Sequence, residues 1–225
     1  MILHIETATT NCSVSIAQEG LVVAFKEVAE ANYSHAEQLH SFIIDTLKEA
    51  NILPQDLQAI AVSKGPGSYT GLRIGVSAAK GLCYALGIPL MSVPTLQSLS
   101  LQVSTKENEL VMPMLDARRM EVFMAGYDHL GNEIIPTQAA ILEANSLSEY
   151  LAPFERVFFI GNGAQKAAAV HDQSLISVIE ALPSAREMAL LSYHKYVAQD
   201  FEDVAYFEPY YLKDFMGPLP KKNNL

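Results

Sequence analysis

Ten consecutive residues, Lys64-Gly65-Pro66-Gly67-Ser68-Tyr69-Thr70-Gly71-Leu72-Arg73, hold the densest chemistry in the chain. They follow the apolar run Leu57–Val62 and precede a helix-like segment. Glycines at 65, 67 and 71 permit backbone conformations and close approaches that a Cβ would forbid. Pro66 stiffens the turn, and Ser68 or Thr70 can cap the following helix. Free N–H groups converge where a tight turn meets a helix N-terminus, which makes an anion site. The spacing fits neither a Walker A loop, which closes on Gly-Lys-Ser/Thr, nor a dinucleotide fingerprint. Two readings stand: Gly65, Gly67, Ser68, Thr70 and Gly71 contact a nucleotide or other anion, or they form a purely structural strand-to-helix turn.

Other reactive side chains offer less. His35 and His40 are five residues apart, which separates them by about 140° on a helix, so they do not converge on a metal as an i,i+4 pair would. No other His, Cys, Asp or Glu pair has ligand spacing, and no metal ligand is assigned. His4 alternates within a strand and reads as structural. No G-x-S-x-G elbow is present, so Ser68 has no readable base and acid. Asp116 and Arg118 either form an ion pair that shapes a turn or face a cleft. Glu6 ends the first strand, where open α/β sheets place functional carboxylates able to orient a hydrated metal. No catalytic residue is assigned.

The elements that must position these groups alternate between strand and helix. Residues 1–6 read as a buried strand, Thr7–Asn11 as a turn, and Ser13–Ala17 with Leu21–Val28 as a hairpin. Ser34 and Glu37 form a capping box that opens a helix through Leu39, Phe42, Ile43 and Leu47, reaching about Asn51. After the strand Leu57–Val62, a helix over Gly71–Leu86 carries the small residues Gly75, Ala78, Ala79 and Gly81. Pro89–Val93 is a strand and Thr95–Gln102 a helix. Beyond residues 104–108 the pattern restarts. It gives the hairpin Leu110–Leu115 with Met120–Tyr127, a strand at Gln138–Leu142, a helix at Ser146–Leu151 and a strand at Arg156–Ile160. Gly161–Ala164 then opens a further helix. A second capping box, Ser184 with Glu187, starts a last helix to about Ala198; Phe207–Lys213 is apolar enough to dock, and Gly217–Leu225 is frayed. The succession predicts an α/β protein of two lobes, 1–106 and 107–225, each with helices against a mixed sheet, the last helix and tail packing back on the first.

With 225 residues, half of them hydrophobic and 18% charged, the chain folds as a globular protein. Its 25 acidic against 15 basic residues leave a net charge of −10. A surface of that sign repels polyphosphate backbones, so nucleic acid would reach it only through a more basic partner. Cys12 and Cys83 sit among apolar neighbours as free thiols, which suits a reducing compartment. No leader or membrane span is read, and the expected location is cytoplasmic.

Several separated stretches, in order, resemble the TsaB (YeaZ) family: ILHIETATTNCSVSI at 2–16, Ser34-His35-Ala36-Glu37, KGPGSYTGLR at 64–73 with Ile74-Gly75-Val76 and Lys80-Gly81-Leu82, and Asp116–Phe123. The resemblance implies the two-lobed actin-like ATPase (RNase H-like) fold. It implies a non-catalytic partner and activator of a TsaD-like catalytic subunit, with a TsaE-like ATPase, in forming N6-threonylcarbamoyladenosine at position 37 of tRNAs reading codons that begin with adenine. A homodimer through the same first-lobe helices, and tRNA contact only through the complex, follow from it. Where a TsaD-like chain carries its metal-binding histidines, this one has Thr95 and Leu99. Glu6 also stands in the first-strand loop in place of the usual Asp. No cofactor is firmly assigned, and any ATP or ADP is expected to be held weakly or at the complex interface. The interface is expected at His35, Leu39, Gly75, Ala78, Ala79 and Leu82. The competing readings are an ATP-dependent phosphotransferase of the actin-like class and, more remotely, a peptidase.

Overall fold

A computed structural model describes residues 1–29 and 35–213. The chain forms two five-stranded mixed sheets of the same topology. In the first, β1 (Ile2–Glu6) pairs antiparallel with β2 (Asn11–Gln18), which continues antiparallel to β3 (Leu21–Ala29). On its other side β1 runs parallel to β4 (Ala59–Gly65), and β4 parallel to β5 (Leu90–Pro94). The strand order is therefore β3-β2-β1-β4-β5.

The second sheet repeats this plan. β6 (Glu109–Asp116) takes the central place, flanked antiparallel by β7 (Glu121–Tyr127) and then β8 (Glu133–Ile141). On its parallel side lie β9 (Arg156–Ile160) and β10 (Ile176–Ile179). The first three strands of each sheet are antiparallel neighbours and can be joined by hairpins; the parallel pairs need crossovers.

Those crossovers build the layers. α1 (His35–Glu49) and α2 (Tyr69–Leu86) cover one face of the first sheet. Leu39, Ile43 and Val76 meet Leu3, Ile5, Val14, Ile16, Ile60 and Val62 in a common core. α6 (Met188–Val197) covers the opposite face, its Met188 joining Ile2, Ala59, Ala61, Met91 and Val93. α3 (Thr95–Ser100) lies between the sheets and sends Leu96 and Leu99 into a cluster with Val111, Leu115, Ala125 and Ile160. The outer face of the second sheet is closed by the short helices α4 (Ser148–Leu151) and α5 (Ala164–Ala168). Among the described residues no helix is long and apolar enough to cross a membrane.

Several local expectations are revised. Ser34, and with it the first capping box, lies outside the described residues, as does the segment 217–225. The second box does not form: Ser184 Oγ donates to Glu27 Oε2 at 3.1 Å, and α6 begins only at Met188, without a side-chain cap. Asn11, assigned to a turn, already belongs to β2. Asp116 does not pair with Arg118; it accepts the Arg118 backbone N–H at 2.7 Å and pairs with Lys166 at 2.6 Å. The edge strand β10 is only four residues long, too short for a periodicity reading.

Candidate functional site

The glycine-rich loop is built against the chain's own first turn. Ser68 caps α2 by accepting the Gly71 N–H, and its own N–H donates to Ala8 O at 2.6 Å. Thr7 Oγ1 donates to Gly71 O at 2.8 Å. The contact is so close that a Cβ on Gly67 would lie 2.5 Å from Ala8 O, and one on Gly71 2.1 Å from Thr7 O. Gly65, at φ +109°, donates its N–H to Thr95 Oγ1 at 3.1 Å. The N–H groups of Gly65, Ser68 and Gly71 are thus already used inside the protein, while Thr70 is exposed.

Beneath this turn lies a seam of acceptors. Glu6 is fully buried; its Oε1 accepts from Ala8 N at 2.6 Å and Ser63 Oγ at 2.8 Å. Burial pushes its carboxyl up to about 7, against the opposing pull of those donors. Glu6 Oε2, Asn11 Oδ1 and Glu187 Oε2 are buried without a hydrogen-bond partner, and burial raises Glu187 as well. A nucleotide polyphosphate needs converging N–H and cationic donors. Of the loop donors, the N–H groups of Gly65, Ser68 and Gly71 are engaged within the protein, and the seam beneath offers carboxylate and amide oxygens in place of the cationic donors that a phosphate chain calls for. Among the described residues no group of three His, Cys, Asp or Glu could hold a metal ion. Thr95 and Leu99 are both buried on α3, Thr95 serving the Gly65 N–H.

The outer surface of α1 and α2 is different in kind. A groove of about 730 Å³ is lined by Ala36, His40, Tyr69, Thr70, Arg73, Ile74, Ser77, Ala78, Gly81 and Leu82. The residues expected at an interface divide between this groove and the core. Ala78 and Leu82 line the groove, but His35, Leu39, Gly75 and Ala79 do not reach the surface. His35 Nε2 lies 2.7 Å from Thr9 O, and Leu39 and Ala79 belong to the core. Gly75 faces inward, where a Cβ would meet Thr7 Oγ1 at 2.3 Å. Small residues occupy both faces of α2: Gly71, Gly75 and Ala79 seat the helix on the sheet, and Ala78 and Gly81 open it outward.

Two copies of one strand order, β3-β2-β1-β4-β5 and β8-β7-β6-β9-β10, define the two-lobed actin-like, RNase H-like class. The solved structure of YeaZ from Pseudomonas aeruginosa matches with a TM-score of 0.77, at 26% identity, covering 94% of this chain and 99% of that one. Residues 28–215 match the family model TsaD, described as tRNA N6-adenosine threonylcarbamoyltransferase. The Bacillus subtilis protein named tRNA threonylcarbamoyladenosine biosynthesis protein TsaB is 31% identical over 181 residues, 79% of this chain and 76% of that protein. Its namesake in Escherichia coli is 28% identical over 220 residues, 95% of this chain and 94% of that protein. The chain belongs to the TsaB family, within the wider TsaD-type group that the family model describes.

Proposed function

We propose that this chain acts in tRNA threonylcarbamoyladenosine biosynthesis as the non-catalytic partner and activator of a TsaD-type subunit, docking through the α1/α2 groove. The observation that carries the reading is the contrast between the two faces of the glycine-rich loop and its helix. The inner face is consumed by the Thr7–Ala8 turn, while the outer face presents an apolar groove floored by small residues. Small residues let a second helix approach closely, and an exposed apolar patch of this kind marks an interaction site. The names of the relatives supply the pathway. A TsaE-like ATPase completes the assembly, tRNA is reached through it, and a homodimer uses the same groove when the partner is absent.

The phosphotransferase reading is the less favoured: three N–H groups of its loop, those of Gly65, Ser68 and Gly71, are already bonded within the protein, and the Glu6 carboxyl beneath it is fully buried. Ala78→Glu tests the docking reading. A charge at this half-buried groove position abolishes co-purification with the TsaD-type subunit while the melting temperature of the free chain is unchanged; wild-type co-purification would refute it.

A further inference from the structure

The groove does not end at α2. Residues 203–213 run back beside that helix as a strap. Lys80 Nζ donates to Ala205 O at 3.1 Å and to Phe207 O at 3.0 Å, and Val204 and Phe207 pack on the first-lobe core. The Tyr210 N–H then donates to Lys64 O at 2.7 Å. The strap can lie this close only because residue 65 is glycine: a Cβ there would sit 2.7 Å from Tyr210 O. Beyond it Tyr211 stacks on Tyr69, ring centroids 4.7 Å apart, and Lys213 pairs with Glu121 on β7 of the second sheet.

Tyr69 also lines the groove, and the Arg73 guanidinium lies over its ring, 5.3 Å from the centroid. Arg73 Nη1 donates to Tyr69 Oη at 3.3 Å, yet Arg73 is exposed and forms no ion pair among the described residues. Arg73 therefore places an exposed cation at the rim of an apolar groove in a chain of net charge −10.

We infer that Tyr69, Arg73 and Tyr211 form the energetic centre of the docking surface, and that the protein partner lays against it a helix bearing a carboxylate that meets Arg73. The inference rests on the reading above, that the groove docks a protein. Tyrosine and arginine dominate such centres when they sit beside a water-excluding apolar floor, which Ile74, Ala78 and Leu82 supply. Stacking between Tyr211 and Arg73 holds Tyr69 in place before binding, which lowers the ordering cost of association. A planar guanidinium takes a carboxylate through paired hydrogen bonds, and the acidic balance of the remaining surface repels wrongly placed carboxylates.

The test is titration calorimetry of the full chain with the TsaD-type subunit, comparing Arg73→Glu, Tyr211→Ala and Ala78→Glu, with thermal melting of each free variant. Arg73→Glu is expected to weaken binding by about 30-fold or more and Tyr211→Ala by about tenfold, in the range of interface hot spots. A carboxylate-to-lysine change on the partner helix then restores affinity to Arg73→Glu alone. If both variants bind within twofold of wild type while Ala78→Glu does not bind, the inference fails and the docking reading stands. If Ala78→Glu also binds normally, the docking reading itself fails. Loss of binding to a tRNA anticodon stem-loop in Arg73→Glu, with partner affinity intact, would assign the Tyr69, Arg73 and Tyr211 cluster to nucleic acid and overturn the inference.

Discussion

At the scale of the residue, His4 and Glu6 point from β1 to the same face of the first sheet, and burial shifts them so that their effects on stability oppose. His4 is fully buried between Ser15 and Ser192, its Nε2 2.7 Å from Ser192 Oγ, and burial pulls it down to about 4. The unfolded chain therefore takes up a proton here that the folded one refuses, and stability is lost as pH falls from 6.5 towards 4. Glu6, raised from 4.5 to about 7, does the reverse: the folded state keeps its proton, and stability is lost as pH rises across that window. Each shift amounts to on the order of 3 kcal/mol, so the two slopes largely cancel in the wild-type protein between about pH 4.5 and 6.5. Glu6→Gln keeps an oxygen for Ala8 and Ser63 and supplies an amide donor that never titrates. Its urea-unfolding stability is expected to fall steeply on acidification from pH 6.5, where the wild type stays nearly flat, and to exceed the wild type most above pH 7. Parallel profiles for the two proteins would show that Glu6 has no raised affinity for protons.

At the scale of the element, α2 is the piece on which the account turns, and its two faces separate in a simple comparison. Gly71→Ala drives a methyl into the Thr7 carbonyl and is expected to cost about 3 kcal/mol, as overpacking against backbone does. Gly81→Ala meets nothing within 4 Å and is expected to stabilise the helix by up to about 1 kcal/mol. Equal denaturation midpoints for the two variants would contradict the seating of α2. The existence of this helix, its Ser68 cap and its glycine-rich entry are legible in the sequence, because capping and turn chemistry act over a few neighbouring residues. Which small residues face inward is not. Glycine and alanine on both sides of α2 remove the hydrophobic contrast from which orientation is read, so Gly75 and Ala79 pass for surface positions. Ser184 and Asp116 mislead for another reason: their local partners lose to Glu27 and Lys166, which are distant in sequence and adjacent only after folding. The strap is readable as an apolar tail, but its seat on Gly65 needs the loop's three-dimensional path.

At the scale of the whole molecule, one sheet plan appears twice, with α3 packed between the copies and α6 with the strap folded back on the first. The restart of the pattern after residue 108 makes this duplication visible in the sequence, and the acidic composition disfavours a polyphosphate backbone on the surface as a whole. Within that two-lobed frame the glycine-rich loop seats α2 against the Thr7–Ala8 turn of the first lobe. The most direct measurement is threonylcarbamoylation of tRNA by the TsaD-type subunit with its ATPase, with this chain added or withheld. The account predicts product that depends on this chain, fails with Ala78→Glu and does not require nucleotide turnover by the isolated chain. Equal product in the presence and absence of this chain would contradict it.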